Sequence, residues 1–178
     1  SASYPVGTLP YAVVTDSDSL AYVSLQGEAA VVVVDLADGA IIERIPTPAQ
    51  PTGLTLWGNF LYVTHLWSGD LSLIYLPQNQ VVRTVSTGDD SGLSTHLTIN
   101  PRTGVAYLPQ SRSYADNPAP TYDNLILPVV NVVDLNNMGL QRLERISLSY
   151  ADRPVNMPFA AAVDSARDWL YVDKRCSP

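Results

Sequence analysis

The sequence contains one cysteine, one lysine and no long apolar run. The single cysteine among 178 residues is Cys176, so the chain can form no internal disulfide and no cysteine-based metal site. The longest uninterrupted apolar stretch covers residues 29–34, which is far too short to span a membrane. The chain also lacks an initiator methionine and a signal-like start, so we expect the interior of a longer chain or a processed form.

Residues that favour helices are scarce. Only three of the 17 acidic residues are glutamate and only one of the ten basic residues is lysine, whereas the chain holds 14 prolines and ten glycines. Aspartate, glycine and proline favour turns and caps over helix interiors, so this composition predicts an all-β protein. The net charge is −7 and no basic stripe is visible, which argues against nucleic-acid binding.

A tyrosine-marked repeat organises the chain. Tyr-Val or a close variant begins at Tyr22, Tyr62, Tyr107 and Tyr171, with spacings of 40, 45 and 64 residues. Before each tyrosine lies a short apolar run, and after each of the first three lie two more, separated by Asp, Gly, Asn and Pro turns. Such runs and turns are typical of four short antiparallel strands per unit. Tandem units of about 40–45 residues with four strands predict the blades of a β-propeller.

Three complete blades and half of a fourth fit into the sequence. We predict the end of a preceding blade at residues 1–9, blades at 10–47, 51–87 and 94–148, and a partial blade at 158–178, all in one propeller domain. The third blade carries an insertion at residues 111–128. Propellers close with about four to eight blades, so we expect part of a larger propeller or completion by other segments. A β-sandwich with coincidental spacing is the alternative.

The repeat resembles the YVTN family of β-propellers. Residues 62–65 (Tyr-Val-Thr-His) come closest to the motif that names the family, and Val-Val-Asp-Leu occurs at 33–36 and again at 132–135. The resemblance implies a propeller of seven blades. The long loop of the third blade is similar to a blade of exported bacterial propeller proteins, some of which carry di-haem peroxidase-like modules. It thus implies an extracytoplasmic surface or redox-associated protein; this chain has no Cys-x-x-Cys-His motif and cannot attach c-type haem itself.

Long polar connections are predicted to gather on one side of the propeller. Antiparallel order places the connections between second and third strands, and those between successive blades, on one face, which we call the loop face. Long loops on a rigid scaffold commonly bind partners. The candidate interaction residues on this face are His65, Asp89, Asp90, His96, Arg112, Tyr114, Asp116, Tyr122, Asp123 and Arg153.

The two histidines and the insertion each permit two interpretations. His96 starts an innermost strand and is either a metal or haem ligand or a hydrogen-bonded residue of the axial channel. His65 is expected in a surface loop rather than in a metal site. The proline-stiffened insertion either caps the blade or offers a surface for a protein or glycan, with Tyr114 and Tyr122 as contact groups.

Three functional hypotheses follow from this sequence. The first is a non-catalytic interaction or structural module of an exported or cell-surface protein, with protein partners or other segments that complete the propeller. The second is an accessory propeller in a redox complex whose haem is carried elsewhere. The third is a propeller enzyme that uses His96. No catalytic motif is present, and we expect no bound cofactor, no metal, no nucleic acid and no membrane span.

Overall fold

Antiparallel strands account for almost all of the regular structure in a computed structural model of the chain. The structure describes residues 3–16, 19–113, 126–136, 140–149 and 157–175. These residues form four sheets, which we number in chain order. The predicted all-β class with four-stranded antiparallel sheets is confirmed.

Sheet 1 follows the predicted pattern of apolar runs and aspartate turns. It consists of β1 (Pro10–Thr15), β2 (Leu20–Leu25), β3 (Ala30–Asp35) and β4 (Ile41–Pro46), paired in that order. The Asp16 carboxylate accepts the N–H of Leu20 (3.0 Å), which closes the turn between β1 and β2. The run of valines in β3 is buried because both faces of sheet 1 are covered.

Sheet 2 repeats the same order of strands. It consists of β5 (Pro51–Trp57), β6 (Phe60–His65), β7 (Leu71–Tyr75) and β8 (Gln80–Val85), with a single 3-10 turn at Leu76–Gln78 before β8. Both sheets have a register irregularity at the start of their first strand, between Pro10 and Val13 in sheet 1 and between Pro51 and Leu54 in sheet 2. The two units therefore share their local backbone geometry as well as their strand order.

Sheet 3 departs from the repeat at its innermost strand. Its strands are β9 (Ser91–Gly92), β10 (Thr98–Asn100), β11 (Val105–Ser113), β12 (Ile126–Asp134) and β13 (Gln141–Ser147). Regular pairing of the first strand starts only at Thr98, and β9 pairs with the far end of β11 instead. The β11–β12 ribbon extends into both ends of the predicted insertion, whose residues 114–125 lie outside the described part of the chain.

Sheet 4 is a two-stranded hairpin in the described part of the chain. It pairs β14 (Met157–Asp164) with β15 (Trp169–Arg175). Its strands correspond to the first two strands of the other sheets, since β15 carries the fourth repeated tyrosine, Tyr171. The outer edge of β15 thus corresponds to the edge that pairs with a third strand in sheets 1 to 3.

The sheets pack face to face in chain order. Tyr22 and Val33 of sheet 1 pack against Leu61 and Ile74 of sheet 2 in one buried cluster. Tyr62 of sheet 2 lies in a second cluster with Leu108 and Val133 of sheet 3. Strand β11 of sheet 3 in turn contacts β14 of sheet 4. Full burial of each such side chain stabilises the fold by about 1.5–3 kcal/mol, so the interfaces between sheets provide most of the hydrophobic core.

Hydroxyl groups near the inner ends of the sheets link each sheet to the next. The Ser24 hydroxyl donates to the Thr52 carbonyl (2.6 Å), and the Thr52 hydroxyl donates to the Ser94 carbonyl (2.6 Å). The Thr95 hydroxyl donates to the Phe159 carbonyl of sheet 4 (3.1 Å). Each hydrogen bond contributes about 1 kcal/mol net, and together they fix the height of each sheet relative to the next.

Candidate functional site

The structure describes half of the predicted interaction residues. Of the ten, it describes His65, Asp89, Asp90, His96 and Arg112. The other five lie outside the described residues: Tyr114, Asp116, Tyr122, Asp123 and Arg153. They remain predictions.

His65 is buried, which corrects its assignment to a surface loop. Its side chain is 0% exposed at the end of β6. Its Nδ1 lies 3.1 Å from the Ala49 carbonyl and its Nε2 lies 2.8 Å from the Ser72 hydroxyl, so the neutral ring donates to the first and accepts from the second. Burial lowers the pKa of His65 below its usual 6.5, although hydrogen bonds from the ring to backbone carbonyls oppose this. His65 therefore holds the connection before β5 in place and cannot contact a partner at the surface.

Asp90 joins two arginines on the loop face. Its carboxylate accepts two hydrogen bonds from the Arg145 guanidinium (2.8 and 2.7 Å) and one from Arg112 Nε. The hydrogen bond from Arg145 is the largest cause of a fall in the pKa of Asp90 from 3.8 to about 2, and Arg112 adds to it. The structure thus brings Asp90 and Arg112 into contact, whereas Asp89 is exposed and outside this network.

A buried polar network continues from Asp90 into sheet 3. Arg145 Nε donates to the Asn131 side-chain carbonyl (3.0 Å), and the Asn131 amide contacts Gln110. Gln110 in turn donates to the Gly69 carbonyl (2.7 Å) and to the Ser94 hydroxyl (3.0 Å). Because buried amides without partners are costly, this network fixes the loops between sheets 2 and 3. The sequence analysis missed it, although Asn131 interrupts an otherwise apolar strand and Gln110 ends one.

His96 lies between sheets 3 and 4. The residue lies two positions before β10 begins, and its Nε2 is 3.0 Å from the Ala161 carbonyl. This contact fits the hydrogen-bonded interpretation of His96. Within the described ranges, no group of three or more His, Cys, Asp or Glu side chains is arranged to hold a metal ion. In the same ranges, no helix has the length and apolar character needed to cross a membrane.

An open depression lies on the loop face between sheets 1 and 2. It has a volume of about 730 Å³, and its walls include Leu9, Glu28, Ala49, Gln50 and Trp67. Trp67 is 65% exposed at its rim. The side-chain oxygen of Gln50 is buried and has no hydrogen-bond partner among the described residues. No sequence motif marks this site, because its residues come from four separate connections.

The outer face of sheet 4 exposes two aromatic rings. Trp169 is 58% and Tyr171 is 52% exposed, and the rings contact each other edge to face at 6.3 Å. The corresponding tyrosines of sheets 1 and 2, Tyr22 and Tyr62, are buried against the following sheet. Within the described residues, the face around Tyr171 therefore has no covering sheet, unlike the equivalent faces around Tyr22 and Tyr62.

Comparisons with known proteins identify relatives by structure alone. No family model matches the sequence, and no curated protein matches it. Among solved structures, hydrazine synthase from Kuenenia stuttgartiensis is 16% identical over 92% of this chain, with a TM-score of 0.57. A chain of the mitotic checkpoint complex is 12% identical over 93%, with a TM-score of 0.66. The dihydro-heme d1 dehydrogenase NirN, in complex with DHE, is 12% identical over 83%, with a TM-score of 0.58.

These similarities, together with the sheet order, define the class of protein. The three solved structures are propeller-type folds, and this chain spans 61%, 46% and 30% of their respective lengths. Sheets that pack in chain order with their first strands innermost are the arrangement of propeller blades, whereas a sandwich would form two facing layers. The chain is a partial β-propeller, and the predicted fold class is confirmed.

Proposed function

We propose that this chain is a non-catalytic propeller module that assembles with other β-structure. The uncovered face of Trp169 and Tyr171 carries this proposal. In sheets 1 and 2 the equivalent tyrosines, Tyr22 and Tyr62, are buried by the following sheet, and the outer edge of β15 corresponds to a strand edge that is paired in sheets 1 to 3. Exposed aromatic side chains on an open sheet edge are features that proteins normally cover.

The finer assignments of the sequence analysis belong to the same proposal. The four tyrosine motifs in register support a seven-bladed propeller of the YVTN type, and the long loop of the third blade, similar to a blade of exported bacterial propeller proteins, supports an extracytoplasmic or cell-surface location. The predicted domain boundaries assign the four described sheets to a single propeller. Its partners are proteins or other segments that complete the ring.

A photo-crosslinking experiment tests whether the outer face of sheet 4 is covered. Tyr171→p-benzoylphenylalanine places a reactive ring of similar shape on this face, in the polypeptide that carries this sequence in its own cells. We expect mass spectrometry to find crosslinks to peptides from outside residues 1–178 or to a second copy. Leu143→p-benzoylphenylalanine, at a side chain that is 54% exposed on β13, is the matched control. Crosslinks at 171 no more frequent than at 143 would contradict the proposal.

A redox-associated module is the second candidate function. Two of the structural neighbours are named for hydrazine synthase and for a heme d1 dehydrogenase, and this observation favours a propeller that accompanies haem chemistry carried elsewhere. A haem stain and an optical spectrum of the purified native assembly test this role. A Soret band that co-purifies with the chain is expected if it holds, and its absence would remove this candidate.

A further inference from the structure

The clefts between neighbouring sheets differ on the loop face. Between sheets 2 and 3 the backbones meet closely: a Cβ added at Gly92 would lie 2.8 Å from the Trp67 carbonyl, and one at Gly69 would lie 2.9 Å from the Ser91 carbonyl. The Ser94 N–H also donates to the Leu66 carbonyl (3.1 Å). Glycine at both contact points permits this approach, so the backbones of the two connections close the cleft between sheets 2 and 3.

The equivalent cleft between sheets 1 and 2 stays open for identifiable reasons. Pro51 occupies the position of Ser94 and has no N–H to donate across the cleft. Ala49 occupies the position of Gly92 and carries a methyl group where close approach needs a glycine. The residues directly before Pro51 and Ser94, which are Gln50 and Leu93, share a left-handed backbone (φ 53° and 54°), which supports the correspondence of these positions. These two differences leave the depression open between sheets 1 and 2.

Gln50 supplies an unused acceptor beside this depression. Its side-chain oxygen is buried and lacks a partner among the described residues, and a buried polar atom without a partner destabilises the fold. Gln50 lines the depression, and its side chain can rotate toward the opening without breaking a hydrogen bond of that oxygen. A ligand that donates a hydrogen bond there recovers this cost.

The walls favour a cation over an anion. Among the residues that the structure describes, no lysine, arginine or histidine lines the depression, and the chain carries a net charge of −7. The one carboxylate in the wall, Glu28, pairs with Arg44 and adds little net charge. The preference therefore comes from the exposed Trp67 ring, whose face attracts cations, and from the Gln50 oxygen. A guanidinium group suits both, since it is flat, stacks on aromatic rings and donates several hydrogen bonds.

We propose that this depression binds an arginine side chain from a segment of a partner protein. The guanidinium stacks on Trp67 and donates to Gln50, and Leu9 packs along the aliphatic part of the side chain. This inference rests on the proposed role as an interaction module, because it names the chemistry of one partner contact. A sugar would also stack on an indole ring, but it would gain nothing from the negative charge of the chain.

The test titrates the 178-residue chain with a blocked Gly-Gly-Arg-Gly-Gly peptide. The matched probe contains citrulline, which keeps the shape of arginine and loses its charge. We expect the arginine peptide to shift the Trp67 indole N–H signal in NMR spectra to saturation, and the citrulline peptide to bind about fivefold more weakly. Added salt should weaken the arginine complex. A neutral disaccharide serves as the competing ligand class.

Two variants and one control locate the site. Gln50→Leu removes the acceptor. The neighbouring units have leucine at the equivalent position, Leu9 (φ 52°) and Leu93 (φ 54°), so leucine is compatible with the left-handed backbone there. We expect a dissociation constant about tenfold higher and an equal or higher melting temperature, because a buried atom without a partner is removed. Trp67→Ala, at an exposed side chain, should weaken binding about fivefold. Gln78→Leu, at an exposed glutamine in the 3-10 turn, should leave binding unchanged.

The outcomes separate this site from the proposed function. Equal binding of the citrulline peptide, full binding by Gln50→Leu, or saturable binding of the disaccharide without the arginine peptide would overturn the arginine site. These measurements use the chain alone and do not depend on the face of Tyr171. If the crosslinks at position 171 are found and no arginine signal appears, only the site is wrong. If the arginine signal appears without crosslinks, only the proposed assembly is wrong.

Discussion

Replacing Asp90 with asparagine should weaken the fold in a pH-dependent way. The change keeps the shape of the side chain and removes the charge that joins Arg145 and Arg112. Holding the pKa of Asp90 at about 2 instead of 3.8 corresponds to an upper limit of about 2 kcal/mol of folding free energy. The Asp90 side chain is 31% exposed, so solvent screening reduces this value and we expect a loss of about 1 kcal/mol near pH 7.

The pH dependence gives the sharper test of Asp90. A carboxylate whose pKa is lower in the folded state stabilises the fold fully above pH 3.8, and this stabilisation is lost as the pH falls through about 2. Urea unfolding of the wild type and Asp90→Asn should therefore differ by a constant amount at neutral pH and converge in strong acid. Asp89→Asn, at the adjacent exposed carboxylate, is the control and should change stability little. A difference for Asp90→Asn that matches the control, or that stays constant into acid, would refute this reasoning.

Further predictions concern buried contacts. His65→Leu, which introduces the residue found at the equivalent Leu25, should lower the free energy of unfolding by about 1–3 kcal/mol, because the Ala49 carbonyl loses its bond to the ring and the Ser72 hydroxyl keeps only its bond to Thr84. The unfolded state takes up a proton on His65 near pH 6.5, whereas burial lowers the pKa of this ring in the folded state, so the free energy of unfolding of the wild type should rise with pH just below 6.5. If the pH dependence of stability were the same in the wild type and His65→Leu, the burial of His65 would be contradicted. Gly53→Ala places a Cβ 2.8 Å from the Thr95 carbonyl and should lower stability by about 1–3 kcal/mol; an unchanged melting temperature would show that the inner strands do not touch there.

The sequence predicts the strands because each obeys a local rule. The tyrosine positions, the apolar runs and the Asp or Gly turns predict four strands for each unit, and sheets 1 and 2 each consist of four strands in that order. Sheet 3 is less predictable, since Thr98 begins its inner strand four residues after Ser94, the residue expected there. The reason is the longer connection before it, which pairs β9 with β11 and has no counterpart in the shorter connection before β5.

The candidate sites depend on contacts between units, which a local pattern does not encode. His65 ends its strand as a polar residue and reads as exposed, yet its position corresponds to Leu25 and Gln110, which are both buried. Only Leu25 among these aligned positions is apolar, so the sequence alone does not indicate that His65 is buried. The depression at Gln50 follows from the absence of a backbone N–H at Pro51, which matters only because another sheet lies opposite.

The hydroxyl groups that join successive sheets have a consequence for how this chain can change over time. In each case a serine or threonine in one unit bonds to a main-chain carbonyl in the next. A carbonyl is present whatever side chain the recipient carries, so the recipient's sequence can drift without breaking the connection. Units joined in this manner tolerate duplication and divergence of their neighbours, and four modules with few identical residues can still stack in the same order.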